Sequence, residues 1–447
     1  MINTKTILLR HKQQGFTLIE LMVAMVIGLI ILLGLVSIFT SSSALNRAQS
    51  GLSVLQENGR YAILRIKQDI ENAGRKHCAT VALPTGFVTD WNQGYEMASW
   101  TVDSSIEFTN GLPSVTDVSL DSNVENDNNQ LGDTDPVTVN GGTAPTFYPL
   151  DPSYFIRGHE CSDSECTPEL TTIGADASTE FRDVGIIAGS RSANTDIFTV
   201  RYLTGGTPVS AINGNQVTLM TPAPDDSTGD AIVADCNTTV ITPATWGANN
   251  ITTANALPSL SVESDTRVFN LNNDFKTVSY FVGVDEDPND ASKVVSSLYR
   301  SENGNSQQLV EGVERMDVFY LAQLQTGHVA RLTADQVQAV VGGGDVSNDG
   351  MIDEIEGCII PPSASTSSAH RLANDQGCLW RSIYAIEVHL LLNTVNDSSL
   401  LTDDPFNYSP DGLEPQNPSE GLVTQLAPGR MYRKEFTAIV PVRSYTL

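Results

Sequence analysis

The sequence predicts an α+β protein: a long N-terminal α-helix, its first half suited to a membrane, packed on a β-rich antiparallel-sheet domain with large loop insertions. Three observations predict it. Leu21–Phe39 is apolar and carries no charge. Leu45, Leu52, Leu55, Ala62, Ile66, Ile70 and Ala73 then recur at spacings of three, four and seven, which is one helical stripe. After His77, short alternating or apolar stretches lie between Gly, Asn, Asp and Pro clusters, as strands do between turns.

The first residues set the topology. Residues 1–14 carry Lys5, Arg10 and Lys12 and no acid. Basic residues before an apolar run stay on the cytoplasmic side, so the remainder faces outward. Leu21–Phe39 is long enough to cross a bilayer as one helix. A secretory signal would need a shorter apolar region; Ser42-Ser43-Ala44 offers a cleavage site, but the run before it is too long. A plain anchor would leave Gly15 before Phe16, and the acid Glu20, without a reason.

The helix continues beyond the membrane along the apolar stripe, with Arg60, Arg65, Lys67, Asp69 and Glu71 left for its other faces, and Gly74 is a suitable stop. From Phe16 to Arg75 it would measure roughly 90 Å at 1.5 Å per residue. Gly28, Gly34, Gly51 and Gly59 are positions for bends. Strands are predicted at Asp196–Leu203, Gln216–Thr221, Asp230–Cys236, Lys276–Gly283, Glu314–Leu321, Tyr384–Asn393 and Glu435–Leu447. Residues 100–180 are polar and turn-rich, as an insertion would be, and Pro361–His370 reads as an exposed loop.

Composition narrows the class. The chain has 447 residues, 40% hydrophobic and 17% charged. That profile suits a loop-rich extracytoplasmic β protein better than a helical cytosolic enzyme. The formal charge of −28 repels phosphate backbones, so direct nucleic-acid binding is not expected, and the carboxylates chiefly confer solubility. Six cysteines, all outside the membrane segment, fit disulfides in an oxidising compartment. Cys161–Cys166 and Cys358–Cys378 are local pairings, which would leave Cys78–Cys236; six cysteines allow other connectivities. No C-x-x-C or suitably spaced histidine supports zinc.

One loop has the ligand spacing of an EF-hand. In Asp345–Glu356 the oxygen positions are filled by Asp345, Ser347, Asp349, the Met351 carbonyl, Asp353 and Glu356, with Gly350 at the turn and Ile352 as the apolar residue. Thr333–Val341 before it reads as a short helix with capping-box spacing at Thr333 and Gln336. No helix follows, so a single loop holding a structural Ca2+ is expected rather than a paired EF-hand; the bland alternative is an acidic surface turn.

No H-E-x-x-H, G-x-S-x-G or P-loop spacing occurs. His77, His159, His328, His370 and His389 are scattered, and Trp91, Trp100, Trp246 and Trp380 read as core or loop anchors. No enzyme is expected.

The stretch "GFTLIE" (Gly15–Glu20), directly before the apolar run, resembles the class III signal of type IV pilins and pseudopilins. The resemblance implies a type IV pilin fold and cleavage by a prepilin peptidase between Gly15 and Phe16. Phe16 would become the N-methylated first residue and Glu20 the fifth. It also implies that Glu20 pairs with the Phe16 amine of a neighbouring subunit, since a buried charge is tolerable only when paired. Loss of Lys5, Arg10 and Lys12 would take the charge from −28 to about −31.

"ENGRYAILRIKQDIENAGR" (Glu57–Arg75), "TDIFTVRY", "GDAIVADCNTTVI", "SLYR…LVEGVERMDVFY" and the ending "YRKEFTAIVPVRS" resemble, in order, PilW-type minor pilins. By that resemblance, residues 1–15 are a leader, 16–76 the stem and 77–447 an extracytoplasmic body, longer than the family pattern near 80–190 and 322–380. The implied role is priming assembly in a tip-located minor pilin complex. The implied partners are other minor and major pilins, the prepilin peptidase, inner-membrane assembly machinery and a tip adhesin. The implied location is the bacterial inner membrane as a precursor, then the surface pilus. A type II secretion pseudopilin is the nearest alternative. A calcium-stabilised adhesion module displayed on a pilin stem is another.

Overall fold

The computed structural model describes residues 17–75, 77 and, with interruptions, 155–339, 378–395 and 431–442. Strand segments 99–102, 137–139 and 142–144 and the residues Tyr408 and Pro410 are also described. It begins with a single helix, α1 (Leu18–Asn72, 55 residues), about 83 Å long at 1.5 Å per residue. The expected bends are absent: α1 runs unbroken through Gly28, Gly34, Gly51 and Gly59. It ends two residues before Gly74, whose φ of +71° suits a residue without a Cβ.

The strands that follow are β1 (Ser99–Val102), β2 (Val137–Val139), β3 (Gly142–Ala144), β4 (Ile156–Cys161), β5 (Cys166–Thr167) and β6 (Ile197–Leu203). Next come β7 (Thr207–Asn213), β8 (Gln216–Leu219), β9 (Ala231–Ala234), β10 (Thr238–Thr242), β11 (Ala244–Trp246), β12 (Asn250–Thr253) and β13 (Arg267–Asn270). The one-turn helix α2 (Leu271–Asp274) leads into β14 (Phe275–Asp287), β15 (Asp290–Glu302), β16 (Asn305–Glu311), β17 (Val313–Gln323) and β18 (Val329–Leu332). Helix α3 (Ala334–Ala339), β19 (Ile383–Asn393) and β20 (Arg433–Pro441) complete the described chain.

The β-rich part is more divided than one antiparallel sheet. A six-stranded sheet has the order β16-β15-β14-β6-β4-β5, and a four-stranded sheet the order β18-β17-β19-β20. An eight-stranded sheet follows β1-β10-β9-β13-β7-β8-β12-β11, and β2-β3 form a pair. Among the described residues, the strand ladders are antiparallel except that of β1 with β10. The extra strands come from tight hairpins. Between β15 and β16 the turn is Asn303-Gly304, both at positive φ, the geometry of a two-residue primed turn. Strand β4, within the segment expected as an insertion, pairs with β6 inside the six-stranded sheet.

The main core lies where the lower half of α1 meets the six- and four-stranded sheets. Leu55, Ala62, Ile66, Ile70 and Ala73 are buried there with Val278, Tyr280, Leu298, Met316, Val388 and Val440. Burying each large side chain contributes about 1.5–3 kcal/mol. The stripe is shorter than the sequence suggested: Leu45 is 60% exposed, because the body does not reach it. Gly59 fits a close approach; a Cβ there would lie 2.3 Å from Cε2 of Phe436 on β20. Beneath the eight-stranded sheet a second cluster gathers Val209, Val217, Ile232's neighbour Val233, Ile251 and Val268.

Candidate functional site

The functional element is α1, which behaves as two different helices in one. From Leu18 to Phe39 its large apolar side chains are all exposed, from Val23 at 52% to Leu18 at 77%. This segment is long and apolar enough to cross a membrane. A water-exposed surface of that kind is not stable in isolation, so it requires lipid or other apolar helices around it.

The upper end is closed by a capping box that the sequence reading missed. Thr17 is the N-cap: its Oγ1 accepts from the Glu20 amide at 3.3 Å, while Glu20 Oε2 accepts from the Thr17 amide at 3.0 Å. The Thr17 hydroxyl also donates to Oε2 at 3.0 Å. Thr-x-x-Glu before an apolar run was the available signal. Thus one reason for an acid at position 20 lies within the single chain: it satisfies an orphan N–H and faces the positive end of the helix dipole. The processing residues Gly15 and Phe16 lie outside the described residues.

The lower end is held by a buried ion cluster. Asp69, which the sequence leaves off the apolar stripe, is only 2% exposed. Its carboxylate accepts hydrogen bonds from the Tyr202 hydroxyl at 2.8 Å, the Tyr280 hydroxyl at 2.5 Å, and Arg300 Nε and Nη2 at 2.7 and 3.2 Å. These donors come from β6, β14 and β15, three adjacent strands of the six-stranded sheet. Arg300 also donates to Glu302 at 2.7 Å, and Lys276 meets Glu302 at 2.8 Å. Burial and the Asp69 charge raise both tyrosine hydroxyls above their ordinary range. Burial opposes the Arg300 charge, but its bonds to Asp69 and Glu302 outweigh that and hold the guanidinium firmly protonated. For Glu302, burial is likewise outweighed by Lys276 and Arg300, so its carboxyl titrates below the ordinary value of 4.5. An isolated buried carboxylate is costly, whereas one with four donors and a cation is tolerable. The helix spacing that buries Ile66, Ile70 and Ala73 also points Asp69 inward, but sequence cannot reveal that an arginine two hundred residues away awaits it.

Other buried polar groups knit the body. Arg433 Nε donates to both Glu314 oxygens at 3.0 and 2.9 Å, with Asn393 donating to Oε1 at 2.7 Å. His389 lies between Glu387 and Glu435, with a ring nitrogen 2.6 Å from each. His159 is buried against the Pro168 carbonyl, and its pKa is lowered to about 4, chiefly by burial. Cys161 and Cys166 form a disulfide between β4 and β5. Cys78, Cys236 and Cys358 lie outside the described residues, and of Cys378 only the backbone, in a 3-10 turn, is described. The calcium-loop residues Asp345, Ser347, Asp349, Met351, Asp353 and Glu356 also lie outside them. The helix before that loop is α3, where Gln336 Oε1 accepts from the Thr333 amide at 3.1 Å. Among the described residues, no three His, Cys, Asp or Glu side chains are gathered as a metal site.

Residues 10–36 match the family described as the prokaryotic N-terminal methylation motif. Neither a curated protein nor a solved structure matches the chain. The match covers Gly15, Phe16, Glu20 and most of the exposed apolar segment. It supports a type IV pilin-like or pseudopilin prepilin, a structural rather than enzymatic protein. With the membrane-capable helix, it supports anchoring in the inner membrane.

Proposed function

We propose that this chain is a minor pilin of a type IV pilus, of the PilW type, that primes assembly within a tip-located complex of minor pilins. The observation that carries the reading is the methylation motif at 10–36, continuous with a helix apolar and exposed above and clamped to a large body below. A prepilin peptidase cuts between Gly15 and Phe16, and the freed Phe16 amine is methylated. Glu20 uses Oε2 for its own cap, and Oε1 meets no partner among the described residues. That oxygen can receive the Phe16 amine of the adjacent subunit, which sets register as the helices bundle. The large acidic body, with a structural Ca2+ held by Asp345–Glu356, then sits outside the helical bundle, where a tip adhesin could rest on it.

The test is peptide mass spectrometry on sheared surface filaments. An N-methylated peptide beginning at Phe16 is expected there. The same peptide found only in membrane and periplasm would favour a type II secretion pseudopilin. A chain starting at Met1 or after Ala44 would overturn the reading altogether. For the loop, calcium should raise the unfolding temperature of the wild type and not of Asp345→Ala; equal responses would remove calcium from the account.

A further inference from the structure

The chain is strongly acidic, yet a basic cleft opens where the stem enters the body. Its walls are Arg75 and His77, just past the end of α1, and Asp265 and Arg267 at the start of β13, with Leu203, Thr204, Gly205 and Phe269 as the floor. The cavity is about 250 Å³. At about 30 Å³ per water, that is room for an acidic side chain with some water.

The three basic side chains are not equally engaged. His77 is held in place: Nε2 lies 2.5 Å from the Asp265 carbonyl oxygen, and its ring rests against Phe269 at 5.7 Å. Arg267 donates to Asp265 through Nε at 3.4 Å, and both of its terminal nitrogens make no hydrogen bond among the described residues. Arg75 is tied only by its backbone, to Asn72 and Leu203; its guanidinium makes no ion pair or side-chain hydrogen bond among the described residues. Among the described residues, two guanidinium forks thus line one small cleft with a single, already shared carboxylate.

We propose that this cleft binds a carboxylate group. Guanidinium pairs carboxylate in a two-point geometry that suits both arginines. Asp265 makes the site selective. With it the two arginines leave a net charge of one, which a monoanion matches, whereas a phosphate dianion doubles attraction and repulsion alike, keeps a surplus negative charge and costs more to desolvate. The carboxylate comes either from a Glu or Asp side chain of a polypeptide or from a free small acid.

The experiment is calorimetric titration of the full chain, in a non-ionic detergent, with N-acetylglutamate amide, its glutamine analogue, acetate and inorganic phosphate. Saturable binding of the glutamyl compound is expected, with none of the glutamine analogue and weaker binding of phosphate. Arg75→Gln and Arg267→Gln should each weaken it by about tenfold or more, the usual worth of a charge-assisted bond. Without ligand, Arg75→Gln should unfold at the wild-type temperature, because its side chain makes no ion pair or side-chain hydrogen bond among the described residues. Acetate binding as tightly as the glutamyl compound would uphold the site and assign it to free acids. Equal binding of the glutamine analogue, tighter binding of phosphate, or unchanged affinity in both arginine variants would overturn the proposal.

Discussion

Glu20 and Asp69 are two carboxylates on one helix, and they do opposite jobs. Glu20 is exposed and bonded only to Thr17, three residues away. Asp69 is buried and bonded to three strands that are more than 130 residues distant in sequence. The first depends on local sequence and the second on the whole fold. The same contrast divides the helix itself, with nothing packed around Gly28 or Gly34, and the Phe436 ring against Gly59. A helix of this length needs no tertiary support where apolar neighbours will later surround it. It needs a rigid junction only where the body must follow its motion.

The contrast is tested most severely at Asp69. Asp69→Ala leaves Arg300 and two tyrosine hydroxyls buried without their acceptor, so a loss of about 3–5 kcal/mol is expected in unfolding of the full chain. Asp69→Asn should be milder, since the amide oxygen still accepts from one donor. A change under about 0.5 kcal/mol for Asp69→Ala, the range of ordinary surface substitutions, would mean that the junction is held by apolar packing alone.

Glycine substitutions sharpen the same division. Gly59→Ala drives a methyl into Phe436, and about 1–3 kcal/mol should be lost, as for other overpacked cores. Gly34→Ala meets nothing within 4 Å and should raise helix stability by about 0.5–1 kcal/mol. Thermal unfolding of both variants in detergent measures the difference; equal effects would erase the division between the two halves.

Acid should loosen the junction through Glu302. Its pKa is lower in the fold than when unfolded, so the unfolded chain takes up the proton first as pH falls. Its contribution is complete above the ordinary value of 4.5 and is lost as pH drops through the folded value. Glu302→Gln should therefore lower stability at neutral pH, where that contribution is complete, and flatten the profile below that point, so that variant and wild type converge in acid. Parallel profiles for variant and wild type would remove Glu302 from the junction.

What could be read from sequence follows the same line between local and distant. The stem was legible because an uncharged apolar run and a recurring apolar spacing are local patterns, and the long strands β14, β17, β19 and β20 were legible for the same reason. Strands β7 and β16 were passed over although their turns announce themselves, in Gly214-Asn215 and Asn303-Gly304. In β16, "NSQQLVE", the first four residues are polar on both faces, and in β7 only Val209 is buried, so hydrophobic period gives little sign of either. The burial of Asp69 was not legible, because a lone acid beside an apolar stripe normally points to water. Only the cross-strand meeting of Tyr280 with Arg300 makes its burial tolerable, and that register is set by the β14–β15 hairpin.

The smallest effect on stability is expected at Glu20, and it is the one that separates fold from assembly. Glu20→Gln keeps an oxygen that can accept from the Thr17 amide, so the cap and the helix should survive, and unfolding of the body should match wild type. Glu20→Ala removes only the Glu20 half of the capping box, since Thr17 Oγ1 still accepts from the residue-20 amide, and should cost about 0.5 kcal/mol of helix stability, confined to the first turn. Neither change touches the junction at Asp69. If the carboxylate serves only as a cap, Gln should restore incorporation into sheared filaments and Ala should not. If it also pairs with the Phe16 amine of a neighbour, both variants should fail to incorporate while folding normally, because an amide leaves that buried amine without a counter-charge. Quantifying each variant in filament and membrane fractions decides between the two, and a Gln variant that assembles fully would confine Glu20 to the local role its own helix gives it.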